Sequence, residues 1–380
     1  MKKLSWFTIL AAVALLPGCS NDNEPLKEGS MVEAVIGDSE VEIKLSSGTA
    51  ATRASIESDE NKAFKVDGLG IFCVAKDKQN PEINPPAPDI DWTRYSEYGK
   101  TDVLMHNVPA NAVMDTIDNV TSTSIVWADP EAQYFYPISN WYKYDFYGYY
   151  PVQDDAKVTT ISDGIMVNME IDGYKDVLIG KASSEEQYAY SAKYFRTAAH
   201  ELPKMEFFHY LSRFTFTVEA GADYTGSKEN ATRMSVKEIT LFDMPYMFEL
   251  VVASNDKNED YWGVGYYDDE NLKDFYLHDA NSEALSLVPV SADERSKVGD
   301  ALMVIPGLES YGIRVVLVDE NGKEFVSEFP LSLSEHLEEG TTEMGHSYNI
   351  NMTVYGPQEI KLNAVLKPWE IVETDIPIEL

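Results

Sequence analysis

Apolar and polar positions alternate in short runs along most of the chain. In Arg213–Glu219, Phe214, Phe216 and Val218 fall on one side and Thr215, Thr217 and Glu219 on the other. A period of two places side chains on opposite faces of an extended backbone and predicts a half-buried strand. Val41-Glu42-Ile43-Lys44-Leu45 repeats the pattern on a smaller scale. Leu69–Ala75, Lys143–Tyr150 and Gly164–Ile171 read as further strands. Gly312–Asp319 and Lys323–Phe329 flank Glu320-Asn321-Gly322, and Asn-Gly between apolar runs predicts a hairpin. Ser347–Tyr355 and Gln358–Leu366 flank Gly356-Pro357 and form a second hairpin-like pair. Asn80–Trp92 holds four prolines and reads as a surface loop. Helical candidates are few, Glu185–Tyr194 and Leu331–Glu338, and no repeat of fixed period emerges. Many short strands joined by turn residues predict an all-β chain of antiparallel β-sandwiches with few short helices.

The first residues follow another logic. Lys2 and Lys3 precede an almost wholly apolar run, Leu4–Leu16, long enough for a signal-peptide core and too short to span a bilayer comfortably. The run ends in Leu16-Pro17-Gly18-Cys19, which is similar to the lipobox of bacterial lipoproteins. That resemblance implies cleavage before Cys19 and acylation of its sulfur and new amino group, with several acyl chains giving a stable anchor. An ordinary secretory signal with an incidental cysteine is the plainer reading, but charge, apolar run and cysteine all stand at the lipoprotein offsets. Residues 20–35 are polar and acidic and read as a flexible tether. Acidic residues just after the cysteine also resemble the surface-export signal of Bacteroidetes lipoproteins. Ser46–Ala54 is small and polar apart from Arg53, and such a stretch resists packing and is open to proteases.

Composition narrows the function. After residues 1–18 are removed, about 360 residues remain of 380, which makes two domains the default. The formal charge is −34; loss of Lys2 and Lys3, with no acid, makes it −36. Such a surface repels phosphates and excludes nucleic acid as a partner. Cys19 and Cys73 are the only cysteines, so lipidation of Cys19 leaves no intramolecular disulfide. Cys73 lies in the apolar run Gly70–Ala75 and reads as a buried, inert thiol.

Catalytic signatures are missing. The six histidines show no HExxH spacing, and there is no CxxC, GxSxG elbow, phosphate-cradling loop or dinucleotide fingerprint. Neither a metal site nor a cofactor is signalled, and no enzymatic activity is expected. Asp256–Asp260 imitates the start of an EF-hand loop, but Tyr261 and Tyr267 stand where its glycine and bidentate glutamate belong, so it reads as an acidic loop with at most weak calcium binding. Acid neighbours such as Asp154-Asp155 and Asp268-Asp269-Glu270 arise readily in so acidic a chain and do not by themselves make a glycosidase. The aromatic run from Tyr134 to Tyr150 suits either a sugar platform or a β-sandwich core, and core packing is the favoured reading.

Several segments, in order, resemble the fimbrillin family of Bacteroidetes, the subunits of type V pili. They are the lipobox Leu16–Cys19, the Thr52-Arg53-Ala54 site after a short strand, and the aromatic-Tyr-Tyr-Pro segment Asp145–Pro151. Phe207–Arg213, of Phe-x-His-x-Leu-Ser type, follows, and then Gly345–Tyr348 through Lys367-Pro368-Trp369. The resemblance implies two transthyretin-like antiparallel β-sandwich domains in tandem, residues 54–200 and 201–380, behind a signal peptide 1–18 and a lipidated tether and pro-strand 19–53. It implies an outer-membrane lipoprotein held by lipid on Cys19 and cut by a trypsin-like protease between Arg53 and Ala54. The strand Val41, Ile43, Leu45 would then leave, and a terminal strand of another fimbrial subunit would fill the groove. Arg53 is the only basic residue between Lys44 and Lys62, which gives such a protease one clear choice there. Ile376, Ile378 and Leu380 alternate near the end and form the candidate donor strand, short for a full one, so stalk, tip and accessory roles stay open. The competing reading is a surface glycan-binding lipoprotein of a polysaccharide-uptake system, which has no need of a cut at Arg53.

Overall fold

The computed structural model describes residues 2–3, 31–32, 40–49, 65–79, 86–94, 102–117, 120–138, 141–332, 341–357 and 359–367. Their regular structure is strand, apart from two short α-helices, α1 Ala192–Thr197 and α2 Glu229–Thr232, and two 3-10 turns. The longer strands of the first half are β1 Leu45–Thr49, β2 Val66–Lys78, β3 Val103–Ile117, β4 Val120–Trp127, β5 Tyr142–Tyr150, β6 Val158–Ile161, β7 Gly164–Glu170, β8 Leu178–Ala182 and β9 Lys204–His209. Those that follow are β10 Ser212–Ala220, β11 Met234–Pro245, β12 Met247–Ser254, β13 Gly265–Tyr267 and β14 Leu272–Tyr276. The last are β15 Ser296–Val304, β16 Ser310–Asp319, β17 Glu324–Ser332, β18 Ser347–Gly356 and β19 Glu359–Lys367.

Seven strands of the first half close a barrel in the order β8-β9-β1-β4-β3-β2-β5, with β5 returning to β8. Its lumen is a core of its own, where Ile71, Cys73, Ala75, Tyr144, Phe146, Met205 and Phe207 are buried with Val41, Ile43 and Leu45. Alternate residues of β2 and β5 point outward, and they are buried as well. Phe72, Val74, Tyr147 and Tyr149 pack beneath a second sheet, β13-β12-β7-β6. Burial on both faces explains why Gly70–Ala75 reads as one continuous apolar run rather than an alternating one.

The second half is a sandwich of two sheets, β15-β10-β18-β19 and β14-β11-β16-β17. Phe214, Phe216 and Val218 of β10 face Ile239, Leu241, Ile313 and Val315 across its core, and that core is continuous with the one under the barrel's outer face. The connection is direct, because β11 belongs to the sandwich while the next strand, β12, pairs with β7 against the barrel.

The strand readings at Leu69–Ala75, Lys143–Tyr150, Gly164–Ile171 and Arg213–Glu219 fall on β2, β5, β7 and β10, and along β10 burial alternates residue by residue. Other expectations need correction. The first half closes as a barrel rather than standing as two facing sheets. Two pairings, β1 with β9 and β10 with β18, are parallel, so neither half is purely antiparallel. The segment expected to resist packing begins inside a stave: Ser46–Thr49 are strand, and buried Ser47 donates its hydroxyl to the Met205 carbonyl at 3.0 Å. Small polar residues serve there because two neighbouring strands supply hydrogen bonds that water would otherwise give.

The helix expected at Glu185–Tyr194 forms later, at α1, where the Ser191 hydroxyl caps it by accepting from the Tyr194 amide. Of the other helical candidate, Leu331 and Ser332 are the last two residues of β17, and residues 333–338 lie outside the described residues. The hairpin at Asn321-Gly322 has a three-residue loop. Gly322 donates to the Asp319 carbonyl from the left-handed region at φ +81°, and Asp319 donates to the Lys323 carbonyl. The proline-rich loop is not wholly on the surface, because Trp92 is buried and its indole donates to the Ala75 carbonyl at 3.0 Å.

Candidate functional site

The segment Val41–Thr49 is packed into the fold and is not a free tether. Val41–Glu42 pairs antiparallel with Phe135–Tyr136, and the Ile43 amide donates to the Tyr134 carbonyl at 2.7 Å. Two residues later β1 enters the barrel between β9, which runs parallel to it, and β4, which runs antiparallel. Ser46 pairs with Lys204 on one side and Ser124 on the other, and its amide donates to the Pro203 carbonyl at 3.0 Å.

Alternation does the rest. Val41, Ile43 and Leu45 are 2%, 0% and 3% exposed, while Lys44 between them is exposed and reaches the half-exposed Glu42 at 3.0 Å. Each of the three apolar side chains gains on the order of 2 kcal/mol by leaving water. Their partners in the lumen include Ile125, Tyr136, Phe195, Met205 and Phe207. Phe207 fits because β5 and β8 carry glycines opposite it: a Cβ on Gly180 would meet its Cδ1 at 2.6 Å, and one on Gly148 its Cζ at 2.8 Å. Without β1 the barrel order would open between β9 and β4, baring two rows of backbone groups and an apolar lane.

Thr49 is the last described residue before the predicted cut, and Arg53, Ala54 and Cys19 lie outside the described residues. Ile376, Ile378 and Leu380 also lie outside them. Among predicted site residues the structure therefore brings together Val41, Ile43 and Leu45 alone.

The aromatic run is core. Tyr136, Tyr142, Tyr144, Phe146, Tyr147 and Tyr149 are buried and Tyr134, Phe135, Trp141 and Tyr150 half-buried, so most of these rings serve packing rather than an exposed platform. Burial pushes the Cys73 thiol well above its ordinary range, and the charge of Asp145 adds to that, so the group stays protonated. The acidic loop Asp256–Tyr261 is a kinked 3-10 turn, and among the described residues no cluster of three or more acids, histidines or cysteines is arranged to hold a metal.

Two of the motif segments meet between the halves. His209 bonds through Nδ1 to buried Asp176, the Arg213 amide donates to the His346 carbonyl at 2.9 Å, and the Ser212 hydroxyl donates to the Glu343 carbonyl at 2.8 Å. Tyr348, buried behind them, accepts from the Glu343 amide at 2.8 Å. These residues join β9 and β10 to the turn before β18, which gives the segments a structural role.

One buried arrangement escaped sequence reasoning. Lys76 and Asp145 are each 2% exposed on adjacent outward-facing positions of β2 and β5. Asp145 Oδ2 lies 4.0 Å from Lys76 Nζ and 3.9 Å from Lys181 Nζ. The Ser254 carbonyl at the end of β12 accepts from Lys76 Nζ at 3.4 Å and from the Tyr147 hydroxyl at 2.8 Å. Charges on the outward face of an otherwise apolar strand were the available signal.

Among solved structures the chain is similar to a candidate cell adhesion protein from Bacteroides uniformis, at 14% identity and a TM-score of 0.49 over 88% of this chain and 100% of that one. It is similar to a fimbrial assembly protein from Parabacteroides distasonis, at 10% identity and a TM-score of 0.41 over 87% and 100%. The fimbrial anchor protein Mfa2 from Porphyromonas gingivalis aligns at 8% identity and a TM-score of 0.32 over 86% and 99%. Comparison with curated proteins finds no match. The family model described as Fimbrillin-like matches residues 52–369, most of the chain. With that match the chain belongs to the Fimbrillin-like family.

Proposed function

We propose that this chain is a fimbrial subunit exported as a lipoprotein on Cys19, matured by cleavage after Arg53 and assembled by strand exchange. Membership of the family makes it a fimbrial or adhesive protein of the cell surface with a structural rather than catalytic role. The observation that carries the finer reading is the barrel itself: the stave β1 and the buried residues Val41, Ile43 and Leu45 all precede Arg53 in the chain. A cut after Arg53 would sever that stave and the lipid together from the rest of the fold. Supporting this, the family match starts at residue 52 and leaves the stave out. A partner strand that refilled the groove would recover ladder hydrogen bonds, each about 1 kcal/mol net, and the buried apolar area, which gives assembly its driving force.

In this reading the mature chain consists of two transthyretin-like β units in tandem. Because β9 belongs to the barrel, we set their join at Tyr210-Leu211, just past the limit at residue 200 expected from sequence.

The test is Arg53→Ala in cells, followed by shearing and N-terminal sequencing of the released protein. Full-length lipoprotein retained on the cell and missing from sheared fimbriae is the expected result. Normal incorporation with residues 19–53 still attached would overturn the proposal.

A further inference from the structure

A cleft of about 520 Å³ opens where the start of β2, the end of β5 and the end of β7 come together. Half-buried Tyr150, Pro151 and Val152 and buried Ile171 give it apolar walls. Hydrogen bonds fix the backbone around them. The Val152 amide donates to the Gly68 carbonyl at 2.7 Å, the Gly68 amide to Asn111 Oδ1 at 3.0 Å, and the Gln153 amide to the Tyr149 hydroxyl at 3.0 Å. Gly68 stands at φ +89°, which glycine adopts without strain. On the other side Asp172 Oδ1 accepts from the Tyr174 and Lys175 amides, each at 2.9 Å. A cleft held this way is preformed, and a ligand entering it has little chain to order.

The polar groups that line it offer both donors and acceptors. Asp67 and Glu170 are exposed, and among the described residues their carboxylates make no hydrogen bond or ion pair. Lys157 Nζ uses one donor on Gln153 Oε1 at 3.2 Å, and Lys175 Nζ stands 3.7 Å from Asp172 Oδ2. The Tyr150 hydroxyl makes no hydrogen bond among the described residues. Burial and the charges of Asp176, Asp172 and Asp67 hold it above its ordinary value, so it stays protonated and can donate. Asp67, Glu170 and Asp172 against Lys157 and Lys175 leave the cleft one charge negative, on a chain at −34, which disfavours an anion. The ligand that fits is uncharged, carries groups that both donate and accept, and has one apolar face for the Tyr150 wall. A pyranose meets all three conditions, with hydroxyls around its ring and a C–H face that packs on an aromatic side chain.

We propose that this cleft binds one neutral pyranose residue of a glycan, with its C–H face against Tyr150 and its hydroxyls shared between Asp67, Glu170, Lys157 and Lys175. The carboxylates accept from sugar hydroxyls, and the ammonium groups and the Tyr150 hydroxyl donate to them. None of the described residues of segment 41–53 lines the cleft, so sugar binding depends on neither cleavage nor strand exchange.

The experiment uses the uncut chain from residue 19, made without lipid, and saturation-transfer difference NMR. The probes are the methyl glycosides of glucose, galactose, mannose and N-acetylglucosamine, with glucuronic acid as the anion. At least one neutral glycoside should bind with a dissociation constant on the order of 1 mM, and at least about fivefold more tightly than glucuronate. Asp67→Ala and Glu170→Ala change exposed side chains without partners to lose among the described residues, so the fold is not at risk. Each should weaken binding at least about fivefold by removing a charge-assisted hydrogen bond. Tyr150→Leu, which keeps an apolar side chain in the wall, should weaken it as well. Tyr224→Leu, at a fully exposed tyrosine in the turn after β10, should change nothing. The proposal is overturned if no neutral glycoside binds at about 20 mM, if glucuronate binds as tightly as the best of them, or if both carboxylate variants bind like the parent. Each of these outcomes leaves cleavage after Arg53 and strand exchange standing, because the uncut chain is what is measured.

Discussion

The barrel and the sandwich solve the same problem differently. Both bury alternate residues of short strands, but the sandwich draws its eight long strands from residues 212–367, whereas the barrel reaches back to residues 45–49 for the stave that closes it. The sandwich core is largely aliphatic, with Val236, Ile239, Leu241, Ile313, Val315, Leu317, Ile350 and Val354 around Phe214 and Phe216. The barrel lumen relies on large rings set against small residues, such as Phe207 over Gly148 and Gly180. The difference shows where the molecule can be opened. Removing one stave from a closed barrel exposes two edges and a lane at once, and among the described residues no other strand of that half is placed to fill it.

The largest effect should come from the charged seam outside the barrel. Asp145→Ala leaves Lys76 and Lys181 without the buried carboxylate and should cost about 3–5 kcal/mol. Chemical denaturation of the uncut chain measures it. A loss below about 1 kcal/mol would mean that water reaches the seam and that the barrel's outer face is not sealed by β12.

A matched pair sharpens the contrast between the two cores. Ile43 and Ile350 are both 0% exposed, one in the segment Val41–Leu45 and one in the sandwich. Each Ile→Ala change should cost about 2–4 kcal/mol in the uncut chain. After the cut and refilling of the groove by a partner strand, Ile43→Ala should cost nothing and Ile350→Ala should cost as much as before. Equal losses in the assembled form would show that the pro-strand never leaves.

The smallest effect is one of pH. Burial holds the His106 imidazole on β3 below its ordinary value, with Asp155 partly opposing the shift. The unfolded chain then binds more protons than the folded one just below pH about 6.5, so stability falls as pH drops through that window and levels off below the folded value. His106→Gln should flatten this part of the profile, read as denaturation midpoints at pH 7 and pH 5.5. An unchanged profile would place the proton uptake elsewhere.

Legibility followed locality. The alternation of Phe214, Phe216 and Val218, and of Val41, Ile43 and Leu45, is a property of consecutive residues and needs no partner to be read. Burial of the aromatic run was legible because so many rings in one stretch exceed what a surface carries. Trp92 was misread, because four nearby prolines argue for a loop and say nothing of a loop residue that folds back. Ser46–Thr49 was misread for a related reason: a strand that gains its stability from neighbours on both sides need not carry strand-forming residues itself. The seam at Lys76, Asp145 and Lys181 was missed: charges within strand-like runs hinted at it, but its members lie far apart in sequence and meet only across paired strands.

The sequence by itself determined an all-β, strongly acidic chain without catalytic signatures, and it marked the lipobox-like segment Leu16–Cys19, the basic residue Arg53 and the alternating segment Val41–Leu45. Those features are written in composition and in neighbours one, two or three residues apart. Only the tertiary structure decided that the first half closes as a barrel, that β12 crosses to cover it, and that Leu45–Thr49 is a stave. Strand order, parallel pairing and closure depend on contacts between residues more than a hundred positions apart, such as Ser47 with Met205, and a two-residue period is the same whichever strand comes to lie beside it.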